Sequence, residues 1–145
     1  MSDPLYRKEI LRLAADAHGA GRLAQPDLSG TAHNPTCGDK VTVDLAVDDQ
    51  GRVTGIAQEA KACILTQASA SILGQSLQGA AREDVEQLAN AVAAMLANNA
   101  EVPPPPFESF AAFRGAVTHR NRHRCVLLPI QAVLDAFDNE PNQPA

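Results

Sequence analysis

The feature that most constrains the fold is a pair of alternating segments in the first half of the chain. In Lys40–Val47, apolar and polar side chains alternate, which places four apolar residues on one face of a strand. A turn signal at Asp48–Gly51 separates this segment from a weaker alternation over Arg52–Ala60, so we predict an antiparallel hairpin. Cys37 precedes the first strand and Cys63 follows the second. Because antiparallel strands bring these two ends together, we expect the two cysteines to be neighbours.

Apolar residues at helical spacing predict helices in much of the remaining chain. The first helix is expected from Asp3, with Pro4 at its first position, to Gly19. Pro129 is expected in the first turn of the last helix, because proline offers no N–H in a helix interior. The other predicted elements are a short edge strand around Gly21–Ala24, a helix over Cys63–Gln78 with Ile64 on its buried side, a helix over Arg82–Asn98, a polyproline-like spacer at Pro103–Pro106 and a short helix over Phe107–Arg114.

Length and charge restrict the class of protein. The 145 residues suit a single domain, which we place at residues 1–138, followed by a polar tail at 139–145 that we expect to be disordered. A formal net charge of −5 argues against bulk electrostatic binding of nucleic acid, and four Phe with one Tyr are too few for a base-stacking platform. The chain shows no signal peptide and no apolar stretch that could span a bilayer, so we expect a cytoplasmic protein without a membrane partner.

Three cysteines are the main candidates for chemistry. In a reducing compartment they are more typical of thiols or metal ligands than of disulfides, and their odd number leaves at least one unpaired. Cys37 lies two residues before Asp39 in the turn-forming sequence Asn34–Asp39. Cys63 is expected at a helix N-terminus and Cys125 follows several arginines, and both settings lower the pKa of a thiol. If the three cysteines meet Asp39, they form a tetrahedral zinc site or the ligand set of a small iron–sulfur cluster.

The residues alone leave other interpretations open. A free cysteine is often a buried apolar side chain without a chemical role, and Asp39 beside Gly38 is a common turn residue. A metal held by these groups could also be a structural zinc clamp in an interaction module. His123 and Cys125 could form the nucleophilic pair of a hydrolase on a strand, but on a helix they would face apart. The basic segment Thr118–Arg124 could be a docking surface for an acidic partner.

Three ordered sequence blocks resemble the signatures of the IscU/SufU/NifU N-terminal family of iron–sulfur cluster assembly scaffolds. They are Asn34-Pro-Thr-Cys37-Gly-Asp39, Cys63-Ile-Leu-Thr-Gln-Ala-Ser-Ala-Ser71 and Arg122-His-Arg-Cys125. The long interval between the second and third blocks, and Arg124 where IscU-type proteins carry a histidine, make the chain most similar to the SufU-type branch. The resemblance implies an α+β fold, in which helices pack on a small three-stranded antiparallel sheet (SufE/NifU-like) with the site at one end. It also implies a ligand set consisting of Cys37, Asp39, Cys63 and Cys125.

The function that the resemblance implies is a scaffold that accepts sulfur from a SufS/IscS-type cysteine desulfurase and supports cluster assembly for recipient apo-proteins. The implied cofactor is zinc, iron or a transient 2Fe–2S cluster. Cys37 is the implied persulfide acceptor, with Cys125 as the second choice. No classical enzyme is expected, and the alternative within the family is a zinc-dependent sulfurtransferase without a scaffold role. The chain has no Leu-Pro-Pro-Val-Lys sequence, so the resemblance does not extend to the Hsp70-type chaperone partner of IscU-type scaffolds.

Overall fold

The computed structural model describes residues 8–35 and 38–139. The predicted start of the first helix, at Asp3 and Pro4, and the tail from residue 140 onward lie outside these ranges. The strands are β1 (Leu28–Asn34), β2 (Asp39–Val47) and β3 (Val53–Lys61). The helices are α1 (Lys8–Asp16), α2 (Ile64–Ser76), α3 (Arg82–Asn98) and α4 (His123–Asp138), with 3₁₀ helices at Glu108–Ala116, close to the predicted short helix, and at Arg120–Arg122. No helix within the described ranges is both long and apolar enough to cross a membrane.

The strands form one antiparallel sheet in the order β1–β2–β3, which confirms the predicted α+β fold with a three-stranded antiparallel sheet. The predicted hairpin is β2–β3, with Lys40 opposite Lys61 at the end that carries the cysteine-containing segments. The prediction of an edge strand around Gly21–Ala24 is wrong, because the third strand is β1, which starts at Leu28. Leu28 and Ala32 are the only apolar side chains in β1, so its alternation is too weak to be recognised in the sequence.

The helices cover one face of the sheet. Three apolar residues of β2 point to this face and are buried: Val41, Val43 and Leu45. α4 packs along β1 and β2. A Cβ atom at Gly30 of β1 would lie 2.2 Å from the backbone N of Ala136 and 2.4 Å from the carbonyl O of Ala132. Glycine at this position therefore lets α4 lie directly on the sheet.

Two of the helices lie where the apolar periodicity predicts them. α3 begins and ends at the predicted residues, and its apolar stripe is buried. α2 begins directly after Cys63 and ends at Ser76, two residues before the predicted end. The prediction that Ile64 is buried is wrong, since this residue is 38% exposed. It lies in the first turn, on the same side of the helix as the exposed Gln75.

α4 begins earlier than the sequence predicts. It starts at His123 and holds Pro129 in its interior, whereas the prediction placed this proline in the first turn. An interior proline offers no N–H to the carbonyl four residues earlier, which here is the carbonyl of Cys125. The Thr66 hydroxyl of α2 donates to that carbonyl at 2.9 Å. The hydroxyl therefore satisfies the acceptor that the proline leaves without its helical donor.

Both edges of the sheet have partners for some of their backbone groups. At the β1 edge, the Thr31 N–H donates to the Asp135 carboxylate of α4 at 2.9 Å, and the Asn139 side chain donates to the Ser29 carbonyl at 3.2 Å. At the β3 edge, Gln58 exchanges two backbone hydrogen bonds with the loop that follows α1. Side chains and a short loop thus occupy positions that a further strand would use.

The opposite face of the sheet carries a buried carboxylate, Asp44 of β2. Its oxygens accept two hydrogen bonds from the Arg22 guanidinium, at 2.6 and 2.9 Å. The Ser29 hydroxyl and the Leu23 N–H donate to the same carboxylate at 2.7 and 3.1 Å. These donors, Arg22 above all, hold the pKa of Asp44 below its usual range. The cluster fixes the loop before β1 against the sheet.

Candidate metal centre

The start of β2, the end of the hairpin and the start of α4 meet at one end of the sheet. Asp39 is the first residue of β2, Cys63 is the N-cap of α2 and Cys125 lies in the first turn of α4. One ligand atom from each residue lies within 4.8 Å of the others. Asp39 and Cys125 are 7% and 1% exposed, and Cys63 is half-buried. The structure thus brings together three of the residues that the sequence predicts as ligands.

The fourth predicted ligand, Cys37, lies outside the described residues, so its role stays a prediction. The residues near it in the sequence are placed at the same end of the sheet. Asn34 of β1 lies opposite Asp39 of β2, and the Gly38 N–H donates to the Asn34 carbonyl at 2.8 Å. Gly38 has a φ of +76°, a conformation that favours glycine over residues with a side chain.

The chemistry of the three donors fits a zinc ion or an iron of a small cluster. In four-coordinate zinc sites the bonds to thiolate sulfur are about 2.3 Å long and those to carboxylate oxygen about 2.0 to 2.2 Å. Ligand atoms of such a tetrahedron lie about 3.5 to 4 Å from one another. Atoms that already lie within 4.8 Å reach these separations by side-chain movements on the order of 1 Å. One further ligand would complete the set.

The Cys125 thiol favours its protonated form. Burial, followed by the charge and hydrogen bonding of Cys63, raises the pKa of Cys125 to about 11. A hydrogen bond from Arg122 acts in the opposite direction. The expectation that the preceding arginines lower the pKa of Cys125 is wrong. The increase caused by desolvation of the buried thiolate is larger than the decrease caused by Arg122. A metal ion that binds Cys125 must therefore displace a proton.

A buried threonine lies between the three groups. Thr66 is 0% exposed, and its hydroxyl contacts each segment that carries a ligand. Oγ1 donates to the Cys125 carbonyl at 2.9 Å and lies 3.4 Å from Asp39 Oδ2 and 3.5 Å from Cys63 Sγ. Thr66 is not among the site residues predicted from the sequence. Its signal is the spacing of three residues from Cys63, which in a helix places both on the same side, one turn apart.

The histidines do not join this group. Among the described residues, the ligand cluster consists of one carboxylate and two thiols. His123 Nε2 lies 2.9 Å from the Ala116 carbonyl oxygen. Because α4 contains both His123 and Cys125, residues two apart on it point to different sides. This geometry does not favour the nucleophilic pair of a hydrolase.

Positive side chains lie around the site end of the sheet. Lys40 is opposite both Lys61 of β3 and His33 of β1, and all three are exposed. His33 and Arg124 of α4 line one small cavity, and Arg120 is exposed nearby in sequence. Within the described ranges, no carboxylate lies within 4.0 Å of Lys40, Lys61, Arg120 or Arg124. We call these four cations the basic rim. Like charges directly opposite each other destabilise a sheet, so the pair of Lys40 and Lys61 does not contribute to the stability of the fold.

Comparison with known proteins identifies the family. The family profile described as "NifU-like N terminal domain" matches residues 5–117, a range that includes Cys37, Asp39 and Cys63 and ends before Cys125. The solved structure of the N-terminal part of a nitrogen-fixing NifU-like protein from Brucella abortus is 34% identical in sequence, with a TM-score of 0.90. That alignment covers 98% of this chain and 98% of the Brucella chain.

Two further solved structures share the fold. One is a candidate iron–sulfur cluster assembly scaffold protein for the SUF system from Fervidobacterium islandicum AW-1, with 19% identity, a TM-score of 0.82 and coverage of 94% of this chain and 98% of that chain. The other is described only as a hypothetical protein, with 21% identity, a TM-score of 0.69 and coverage of 89% and 96%. No functionally curated protein matches the chain. The family profile and the Brucella structure confirm the resemblance carried by the three sequence blocks, and the chain belongs to the family of NifU-like N-terminal domains.

Proposed function

We propose that the protein is an iron–sulfur cluster assembly scaffold that binds metal and accepts sulfur from a cysteine desulfurase. Its proposed ligands are Cys37, Asp39, Cys63 and Cys125. The observation that carries the proposal is the approach of the Asp39, Cys63 and Cys125 ligand atoms to within 4.8 Å at one end of the sheet. Membership of the NifU-like family and the likeness to a NifU-like protein support it. Iron and sulfide are then the cargo that the protein receives and passes on.

Sulfur acceptance requires a thiolate. The acceptor thiolate attacks the outer sulfur of a persulfide on the desulfurase, so that a new S–S bond forms, the S–S bond of the donor breaks and the donor cysteine leaves as a thiolate. The step involves no net oxidation or reduction. Cys37 is the proposed acceptor because Cys125, at 1% exposure, is out of reach of a thiol on another protein until the site opens. Cys125 remains the second choice.

Asp39 is the proposed ligand that opens the site. A carboxylate is a hard ligand beside soft thiolates and holds zinc or iron less firmly than they do. Its Oδ2 lies 3.4 Å from the Thr66 hydroxyl, so a polar group is available when the carboxylate leaves the metal. The Asp39→Ala variant should therefore release metal or cluster more slowly to an acceptor apo-protein. Unchanged transfer kinetics would contradict this role.

The basic rim is the proposed docking surface for the desulfurase. A partner surface rich in carboxylates would relieve the repulsion between Lys40 and Lys61 and would steer association toward the site. Ile64, 38% exposed and adjacent to Cys63, adds an apolar contact at the same place. Docking there would put the donor persulfide next to the cluster of ligands.

Metal analysis combined with a desulfurase assay tests the proposal. Alanine variants of Cys37, Cys63 and Cys125 should each lose metal and should each lose stimulation of a cysteine desulfurase. Ser69→Ala is the matched control, because it removes a buried hydroxyl that donates to the Val126 carbonyl at the interface of α2 and α4. If all three cysteine variants keep full metal content and full stimulation, the proposed function is wrong.

Cluster reconstitution separates the scaffold from its alternatives. With ferrous iron, cysteine, a desulfurase and a dithiol reductant that supplies the electrons for reducing persulfide sulfur to sulfide, a scaffold develops the visible absorption of a 2Fe–2S cluster and transfers it to an apo-ferredoxin. A zinc-dependent sulfurtransferase stimulates sulfide release but forms no cluster. For a structural zinc clamp, a chelator unfolds the domain and desulfurase turnover does not respond to the protein.

A further inference from the structure

We infer that Thr66 is a positioning residue, which holds the three ligand-bearing segments in register through its one hydroxyl group. The inference rests on the proposed function, because it assigns a role toward the metal that Asp39, Cys63 and Cys125 would bind. Thr66 itself is not proposed as a ligand.

The first observation is that one buried oxygen atom of α2 contacts a strand, a second helix and the N-cap of its own helix. Thr66 Oγ1 lies 2.9 Å from the Cys125 carbonyl oxygen of α4, 3.4 Å from Asp39 Oδ2 of β2 and 3.5 Å from Cys63 Sγ at the start of α2. Thr66 is 0% exposed, so water does not compete for these contacts. The hydroxyl thus fixes the distances between a strand, a helix N-terminus and a second helix.

The second observation is that the strongest of these contacts meets a need created by the sequence of α4. Pro129 removes the N–H that would bond the Cys125 carbonyl, and a buried carbonyl without a donor is destabilising. Thr66 supplies the donor. The backbone of Cys125 is therefore held by α2, the helix that begins at Cys63, rather than by its own helix alone. Movement of one helix is transmitted to the ligand on the other.

The hydroxyl has one hydrogen and two lone pairs to distribute. Its hydrogen is shared between two acceptors, the Cys125 carbonyl and, at the longer distance, the Asp39 carboxylate. When the Cys63 thiol carries its proton, it can donate to a lone pair of the hydroxyl across the 3.5 Å contact. A methyl group in place of the hydroxyl has no polar hydrogen and no lone pairs. It would therefore fill the same space but lose all three directional contacts.

Ser69, one turn along α2, provides an internal comparison. Its hydroxyl donates to the Val126 carbonyl at 2.6 Å, and the residue is 0% exposed. It therefore joins the same two helices, at the carbonyl that follows that of Cys125. Among the described residues its hydrogen bond reaches none of the three ligands. Removing this hydroxyl is expected to show how much the loss of one hydrogen bond between the helices lowers the free energy of unfolding when the ligand positions are unchanged.

The test compares Thr66→Val, Thr66→Ser and Ser69→Ala with the wild type in zinc affinity, by competition with a chelator at fixed pH. Loss of a group that orients metal ligands typically lowers affinity by about 10- to 100-fold, and we expect this for Thr66→Val. Thr66→Ser should recover most of the loss, and Ser69→Ala should stay close to the wild type. With Co²⁺ as a spectroscopic probe, Thr66→Val should shift the d–d bands while Ser69→Ala leaves them in place.

Urea unfolding of the metal-free proteins separates positioning from stability. Thr66→Val should be the more destabilised of the two, because the buried Cys125 carbonyl then has no donor, whereas the Val126 carbonyl keeps the N–H of Ile130 within α4. If Thr66→Val does not fold, Thr66→Ala is measured in its place. Equal zinc affinities of Thr66→Val and Ser69→Ala, or failure of serine to restore binding, would overturn the inference alone. A wild-type protein that binds neither zinc nor iron would overturn the proposed function as well.

Discussion

Replacing Gly30 with alanine tests how the sheet positions Cys125, the proposed metal ligand on α4. The added Cβ would lie 2.2 Å from the backbone N of Ala136 and 2.4 Å from the carbonyl O of Ala132. A comfortable contact for a methyl carbon is about 3.5 Å, so strand and helix must separate by about 1 Å. Because both contacts are to backbone atoms, we expect a cost of about 3 kcal/mol in the free energy of unfolding. For a chain of this length, that lowers Tm by about 10 °C.

The same displacement is expected to reach the site. Cys125 lies on α4, two helical turns before Ala132. A helix moves largely as one body, whereas ligand groups must be held to within about 0.5 Å of their working positions. Gly30→Ala should therefore lower zinc affinity by about tenfold or more in addition to destabilising the fold.

Gly55→Ala is the matched control. Gly55 also lies in a strand, but a Cβ there would meet only the Ala46 side chain, at 3.6 Å. We expect this variant to be as stable as the wild type or about 0.5 kcal/mol more stable, because alanine restricts the unfolded chain. Urea unfolding and chelator competition measure the two effects. Equal stability of the Gly30 and Gly55 variants would refute the steric reasoning. A destabilised Gly30→Ala with wild-type zinc affinity would show that β1 moves instead of α4, and would refute the coupling to the site.

Charge and protonation give three more testable outcomes. Because Arg22 lowers the pKa of Asp44, Asp44→Asn should lose about 2 kcal/mol of unfolding free energy at neutral pH, and urea unfolding should show this deficit shrinking below about pH 4. Equal deficits at pH 7 and pH 3 would contradict the assigned ion pair. Because the pKa of Cys125 is about 11, displacement of its proton should contribute about a tenfold rise in zinc affinity per pH unit near neutrality, and Cys125→Ser should lack this contribution. A pH-independent affinity in chelator titrations would contradict proton displacement. Lys61→Glu places a carboxylate opposite Lys40, so it should raise the unfolding free energy by about 0.5 kcal/mol yet weaken desulfurase stimulation. Wild-type stimulation would contradict docking on the basic rim.

The parts of the fold that could be predicted are those that bury a regular apolar face. β2 alternates and α3 repeats its apolar residues at helical spacing, so both are readable from local sequence. β1 cannot be predicted from local sequence, because the side that faces the helices carries Gly30. The role of this glycine depends on a helix about a hundred residues away in sequence. The start of α4 cannot be predicted locally either. An interior proline such as Pro129 normally disfavours a helix because it removes a backbone donor, and here the Thr66 hydroxyl of another helix supplies that donor.

The candidate site divides in the same way. The hairpin alone places Cys63 next to Asp39, since the ends of antiparallel strands meet. Cys125 depends on how α4 packs against the sheet, and only the resemblance of the Arg122–Cys125 block connected it to the others. The direction of its pKa shift depends on burial, which neighbouring residues in the sequence do not determine. The spacing of Thr66 from Cys63 places the two residues on one side of α2, but the contact of Thr66 with the Cys125 carbonyl depends on the packing of α4 and is not visible in that spacing.

The occupied edges of the sheet determine how another protein can attach to it. Many proteins recruit a partner by adding its strand to an open sheet edge, where unpaired N–H and C=O groups form a template. Here the side chains of Asp135 and Asn139 form hydrogen bonds with such groups on β1, and the loop after α1 forms hydrogen bonds with the backbone of Gln58 on β3. These contacts obstruct the addition of a partner strand at those positions on both edges. On the proposed function, the sulfur donor would instead bind at the end of the sheet, where turns and side chains rather than a backbone ladder determine recognition.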